Sequence, residues 1–208
     1  MTSAADGWRA DIAEPATEIA LAARELAERV SPPFLFDHAA RTYSLACLFA
    51  RRDGVPLDGS PLDRELVYVG ALLHDIGLTP AFDGPRCFEN ESAVAAASFA
   101  RGRGWDELRC ERLANAIRLH MHPRVVPEDD AAGYLLSEAT SCDVRAYRID
   151  DLPAEAVAAI FQRHPRLDFS DGFIALFEEQ ARAKPGCLAD LYLQRGFADR
   201  VRSARFPT

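Results

Sequence analysis

The apolar run Leu66-Val67-Tyr68-Val69-Gly70-Ala71-Leu72-Leu73 ends in an imidazole and a carboxylate, His74-Asp75, followed by Ile76-Gly77. Such a run reads as a core helix that Gly77 is suited to end, and core positions do not carry adjacent ionisable groups without a partner. A divalent cation is such a partner. Three other places put ionisable side chains on helix-compatible sequence: His38 in Phe36-Asp37-His38-Ala39-Ala40-Arg41, Asp143 in Ala139-Thr140-Ser141-Cys142-Asp143-Val144, and His120 and His122 at the end of Ala116-Ile117-Arg118-Leu119-His120-Met121-His122-Pro123. Two neutral imidazoles (His38, His74) and two carboxylates (Asp75, Asp143) offset a divalent charge and leave positions for water and substrate. Singly, each has a plainer reading: a satisfied core histidine, a capping or interhelical aspartate, a surface turn before Pro123. The order His, His-Asp, Asp over successive helices is far more specific than any one of them.

Positioning these side chains takes helices, and helical periodicity dominates the chain. One helix is expected near 17–30, stopped by Ser31-Pro32-Pro33, and a second over about 34–52, broken by Asp53-Gly54. A third is expected over about 61–76, starting with Pro61 and acidic residues, before a loop over 79–85. Further helices are expected over about 91–101, 107–121 (capped by Asp106, stopped by Pro123), 129–147, 153–163, 171–183 and 187–203. No alternating pattern marks a sheet, and there is no internal repeat. The expected architecture is all-α: one compact helical bundle of about eight or nine helices over 1–208, with a motif-bearing core of about 31–150 and a C-terminal helical extension of about 151–208.

The ordered pattern of Phe36-Asp37-His38-Ala39-Ala40-Arg41, Leu72-Leu73-His74-Asp75-Ile76-Gly77 and Asp143-Val144 resembles the HD-domain superfamily of metal-dependent hydrolases. The resemblance implies a helical bundle of the HD type that binds a metal through His38, His74, Asp75 and Asp143. Pro33-Phe34, Arg41, Tyr43, Leu78-Thr79, Cys87-Phe88-Glu89, His164-Pro165-Arg166 and Phe177-Glu178-Glu179 resemble its cyanamide hydratase-like branch, over roughly residues 31–186. That branch implies one divalent ion, zinc, though Fe, Mn and Ni accept the same donors. It also implies metal-bound hydroxide adding to a small polarised substrate, as when cyanamide and water give urea. Asp75 is expected to accept a proton as well as ligate, with His120 and Glu89 as candidates for proton transfer or substrate orientation. Arg41 is expected to pair with a carboxylate.

The competing enzyme reading is an HD-type phosphohydrolase or phosphodiesterase acting on a nucleotide or phosphate ester. Many phosphate-acting relatives carry Lys directly after His-Asp-Ile-Gly, where this chain has Leu78; Arg41, Arg86 or Arg118 could hold phosphate instead. A degenerate HD fold serving as a binding module is the non-enzyme alternative.

Composition narrows the partners. A net charge of −8 disfavours nucleic acid or an anionic membrane, and 49% hydrophobic with 27% charged residues is ordinary for a globular chain. Cys47, Cys87, Cys110, Cys142 and Cys187 form no CxxC pair and fit free thiols in a reducing cytoplasm. Met1-Thr2-Ser3-Ala4-Ala5-Asp6-Gly7-Trp8 has no signal-peptide pattern, and no apolar segment approaches the roughly 18 residues of a span. A cytoplasmic protein with a small-molecule substrate is expected. The C-terminal helix, with Arg195, Arg200, Arg202 and Arg205 among Leu191, Leu193, Phe197 and Val201, offers either a surface for a homo-oligomer or a solvated amphipathic face.

Overall fold

Short polar side chains start the helices. Thr17, Asp63, Asp106 and Asp130 each accept a hydrogen bond from the backbone N–H three residues on, at 3.4, 2.8, 2.9 and 2.7 Å, satisfying a donor that the first turn leaves free. A computed structural model describes residues 7–59, 62–122 and 124–206. Among them lie eleven α-helices: α1 (Trp8–Asp11), α2 (Glu18–Val30), α3 (Pro33–Asp53), α4 (Arg64–Leu73), α5 (Phe88–Arg101), α6 (Glu107–Leu119), α7 (Ala131–Arg145), α8 (Ala154–Arg163), α9 (Phe169–Ala183), α10 (Leu188–Gln194) and α11 (Phe197–Ser203).

The fold is the all-α bundle expected, with more helices than the eight or nine anticipated. One extra is α1, a four-residue turn too short for a periodic signal and anchored by buried Trp8. The other arises because the stretch 187–203 is two helices, divided where Gly196 takes φ +74°, a left-handed conformation that costs glycine little. The helix expected from about Pro61 begins at Arg64, capped by Asp63, and the one expected to reach 121 ends at Leu119; Pro61, Pro123 and most of the N-terminal segment before Trp8 lie outside the described residues.

Two apolar clusters hold the bundle together. In the larger, α3 packs on α4 and α7, α4 also meets α2 and α6, and α6 meets α5 and α7; Leu45, Phe49, Leu66, Leu72, Leu113, Ile117 and Leu136 fill the interior. The smaller joins α9–α11 to Leu35, Leu78, Phe88 and Val144 of the preceding helices. Phe169, Phe173 and Phe177 recur at i, i+4 and stack down one face of α9, with centroids 4.8 and 4.7 Å apart. Of the apolar residues expected on the C-terminal helix, Phe197 and Val201 are buried here, Leu193 is half-buried and Leu191 is exposed. The only β pairing among the described residues is an isolated bridge between Asp58 and Asp63. All five cysteines are free, and no described helix is long and apolar enough to cross a membrane.

Candidate metal centre

Helix α4 ends one residue before the dipeptide that the sequence singles out, not at Ile76. His74 keeps helical angles (φ −65°, ψ −28°), but Asp75 leaves them (φ −112°, ψ 7°), and a 3-10 turn over Ile76–Leu78 follows. In a continuing helix adjacent side chains point about 100° apart. The break swings Asp75 round, so that its Oδ2 lies 3.2 Å from His74 Nε2. The turn is seated directly on α5: the Gly77 N–H donates to Ser92 Oγ at 2.8 Å, and a Cβ at Gly77 would stand 2.2 Å from the Phe88 carbonyl oxygen. Glycine is needed here for close approach rather than to terminate the helix.

Three imidazoles face the Asp75 carboxylate. His38 on α3 brings Nε2 to 3.1 Å from His74 Nε2 and 3.4 Å from Asp75 Oδ2. His120, at the C-terminal end of α6, brings Nε2 to 3.6 Å from the other oxygen, Oδ1. Each Nδ1 is tied from behind: His38 donates to Asp143 Oδ2 (2.7 Å), His74 to the Ala71 carbonyl (2.7 Å) and His120 to the Ile117 carbonyl (2.6 Å). Carbonyls and carboxylates only accept, so the proton of each neutral ring sits on Nδ1 and the Nε2 lone pair points at Asp75.

Asp75 is 3% exposed, and neither of its oxygens has a hydrogen-bond partner among the described residues. Nitrogen lone pairs around an unsatisfied buried carboxylate repel unless a cation sits among them. Donors bound to one ion at about 2.0–2.2 Å stand roughly 3–3.5 Å apart, close to the spacings found here. His38, His74 and Asp75 can therefore coordinate a divalent metal. With no metal bound, burial works against charge on His38, yet its contacts with Asp143 and Asp75 raise its pKa. Burial also opposes charge on Asp75, but attraction to His74 and contacts with His38 hold its pKa below the usual carboxylate range.

Asp143 does not join that convergence. It stands on the opposite edge of the His38 ring, with Oδ1 accepting from Arg41 Nε at 2.6 Å and Oδ2 accepting from Arg41 Nη2 at 2.8 Å as well as from His38. Burial alone would raise its pKa, but the Arg41 guanidinium and the hydrogen bonds from Arg41 and His38 carry it well below the carboxylate range. Arg41, fully buried, also donates through Nη1 to the carbonyls of His164 (3.0 Å) and Pro165 (2.9 Å), and Arg166 Nη1 donates to the Asp143 carbonyl at 2.5 Å. The His164-Pro165-Arg166 segment thus backs the pair.

The four residues His38, His74, Asp75 and His120 line a cavity of about 280 Å³, together with Thr140, Ser141 and Val144 of α7 and a wall of Phe173, Phe177, Tyr192 and Phe197 from α9–α11. His120 is held neutral there: burial, then the nearby His74, push its pKa down to about 4. His122 lines the cavity too, from an exposed position. Glu89 does not. It is buried elsewhere, accepts from Asn90 Nδ2 at 2.8 Å, and has its pKa raised by burial against weaker opposition from Cys87 and Lys184. Arg41, Arg86 and Arg118 are also absent from the lining; Arg124 and Arg145 are the arginines in it. The sequence did carry one signal for the aromatic wall, the i, i+4 spacing of Phe169, Phe173 and Phe177, but nothing in it said which site that stripe would face.

The HD domain family matches residues 35–164 of this chain. Two relatives from Saccharomyces cerevisiae, cyanamide hydratase DDI2 and cyanamide hydratase DDI3, are each 26% identical over 182 residues, covering 85% of this chain and 79% of the relative. His38, His74, Asp75, His120 and Asp143 all fall inside the matched segment, whereas Phe173, Phe177, Tyr192 and Phe197 lie beyond it. A helical bundle with a metal-competent His, His-Asp cluster is consistent with a metal-dependent hydrolase. With the match spanning residues 35–164, more than half of the chain, and taking in His38, His74 and Asp75, this chain belongs to the HD-domain family.

Proposed function

We propose that this chain is a metal-dependent hydrolase or hydratase that adds water to a small, polarised carbon, the chemistry implied by its likeness to the cyanamide hydratases. The observation that carries the reading is Asp75, a buried carboxylate with no donor, turned towards imidazole nitrogens. A divalent ion held by His38, His74 and Asp75, zinc in this reading, would lower the pKa of a coordinated water from about 15.7 towards about 7 and polarise an electrophile beside it.

The protein's own groups do the rest. His120, neutral near pH 7 and facing the Asp75 oxygen turned away from His38 and His74, takes up a proton at Nε2 and returns it to the product. Asp143 acts one step back, as a positioning residue: by accepting the His38 Nδ1 proton it sets the tautomer that frees Nε2, and Arg41 keeps it ionised. Phe169 and Phe173 lie 4.9 and 5.5 Å from the His38 ring, centroid to centroid, and keep water from that side. The cavity, about 280 Å³, lies at the lower edge of the roughly 300–1,000 Å³ range of ligand pockets, which suits a small molecule.

Hydrolysis of a phosphate ester is the second reading, favoured by Arg124 and Arg145 in the lining. Against it, Leu78 is buried in the apolar cluster with Phe88 and Phe177, where many phosphate-acting relatives carry lysine. Elemental analysis of the wild type and His74→Ala, followed by parallel assays on cyanamide and on a panel of nucleotides and phosphodiesters, separates the two. One metal per chain and urea release abolished by His74→Ala support the first reading. Phosphate or nucleoside release moves the assignment to the second. A stably folded chain that takes up no metal sinks both.

A further inference from the structure

The cavity is several times larger than a bare nitrile needs: three heavy atoms occupy about the room of two waters, roughly 60 Å³, against about 280 Å³ here. Its extra space has a definite chemistry. One wall is aromatic, built from Phe173, Phe177 and Phe197. The same cavity is lined by Arg124 and Arg145, both exposed and therefore at its rim.

In a chain of net charge −8, arginines find carboxylates readily, as Arg24, Arg86, Arg109 and Arg148 do. Neither Arg124 nor Arg145 has a carboxylate partner among the described residues. Glu138, the acidic residue in the lining besides Asp75, is spent on Arg148. Arg145 is nonetheless held in place, its guanidinium 4.6 Å over the Tyr147 ring and its Nη2 donating to Ser141 Oγ at 3.4 Å. Arg124 sits at φ +80°, which non-glycine residues rarely adopt. Burial raises the pKa of the Tyr192 hydroxyl in the same wall, against smaller opposition from Arg145, Arg195 and Arg200.

We propose that the cavity takes a substrate with an apolar body, seated on Phe173, Phe177 and Phe197, and an oxyanion, carboxylate or phosphate, held by Arg145 and Arg124 at the rim. This rests on reading the cavity as the substrate site. It places the apolar half of selection in helices beyond the family match, and the two arginines, like the reaction, within it.

The test is calorimetric titration of benzoate, phenyl phosphate and benzamide into wild type and the Arg124→Gln/Arg145→Gln double variant, each metal-loaded and chelator-stripped. Both oxyanions are expected to bind at least about fivefold tighter than neutral benzamide in both metal states of the wild type. The contrast should collapse to under about twofold in the double variant, with benzamide affinity, metal content and thermal midpoint unchanged. Phenyl phosphate outranking benzoate keeps the oxyanion site and identifies its preferred anion. Equal binding of benzamide and benzoate, a contrast that survives in the double variant, or one that appears only with metal loaded overturns the proposal. Failure of the metal assignment shows separately, as absent metal uptake, and leaves the contrast in stripped protein intact.

Discussion

Asp75 and Asp143 are the same residue type, both buried, and they stand on opposite edges of one imidazole, that of His38. On the Asp143 side the counter-charge is built in: Arg41 grips both carboxylate oxygens and His38 adds a third hydrogen bond. On the Asp75 side no donor among the described residues reaches either oxygen. The backbone differs in the same sense. Asp143 rides on the regular helix α7, packed along α3, while Asp75 hangs on the turn after α4. A buried carboxylate needs a cation. The chain supplies one permanently on one side and leaves the other for an exchangeable ion, and His38 links the two.

The comparison breaks most visibly on the Asp143 side. Asp143→Asn strands Arg41, which cannot shed its proton, and should cost about 3–5 kcal/mol in denaturant unfolding. Adding Arg41→Met should recover part of that loss; a single-variant cost under about 1 kcal/mol would mean the Asp143 pair is no fixed clamp. Next in size is Gly77→Ala, whose Cβ has the Phe88 carbonyl 2.2 Å away. It should cost about 1–3 kcal/mol and weaken metal retention although no ligand changes, as thermal melts and metal analysis after dialysis would report.

Acid gives a graded version. The folded-state pKa of Asp143 lies below its unfolded value of about 3.9, so its contribution is present above that pH and is lost as pH falls towards the folded value. Stripped wild type should therefore lose stability below about pH 4, and the Asp143→Asn profile should be flatter there; parallel profiles would contradict the assigned pairing. The smallest change in stripped protein is expected for Asp75→Asn, under about 1 kcal/mol, because a facing imidazole can release its proton where arginine cannot. The same variant should lose its metal, so that a chelator lowers the melting point of the wild type alone. A stripped Asp75→Asn chain as damaged as Asp143→Asn would erase the distinction between the two sides.

The parts legible in the sequence were those with local signals. Apolar periodicity marked the main helices, Asp106 announced its cap, and His74-Asp75 stood out as ionisable groups ending an apolar run. Other parts had no such mark. Helix α1 is one turn, too short to show a period, and the left-handed φ of Gly196 splits what reads as one helix. Glu89 has the right chemistry for proton transfer, but the start of α5 buries it outside the cavity. Adjacent residues such as His74 and Asp75 share a target only because the backbone leaves the helical path at Asp75, which periodicity does not foretell.

By itself the sequence determined that this is a helical chain with histidines and aspartates in the order of a metal site, because residue type and helical period are properties of short segments. Only the tertiary structure decided which carboxylate is matched by Arg41 and which is left for a cation, that His120 turns to Asp75, and that the aromatic stripe of α9 walls the cavity. Those decisions depend on pairings such as His38 with Asp143, 105 residues apart. Charge compensation and burial are set by neighbours in space, and the order of residues along the chain does not encode them locally.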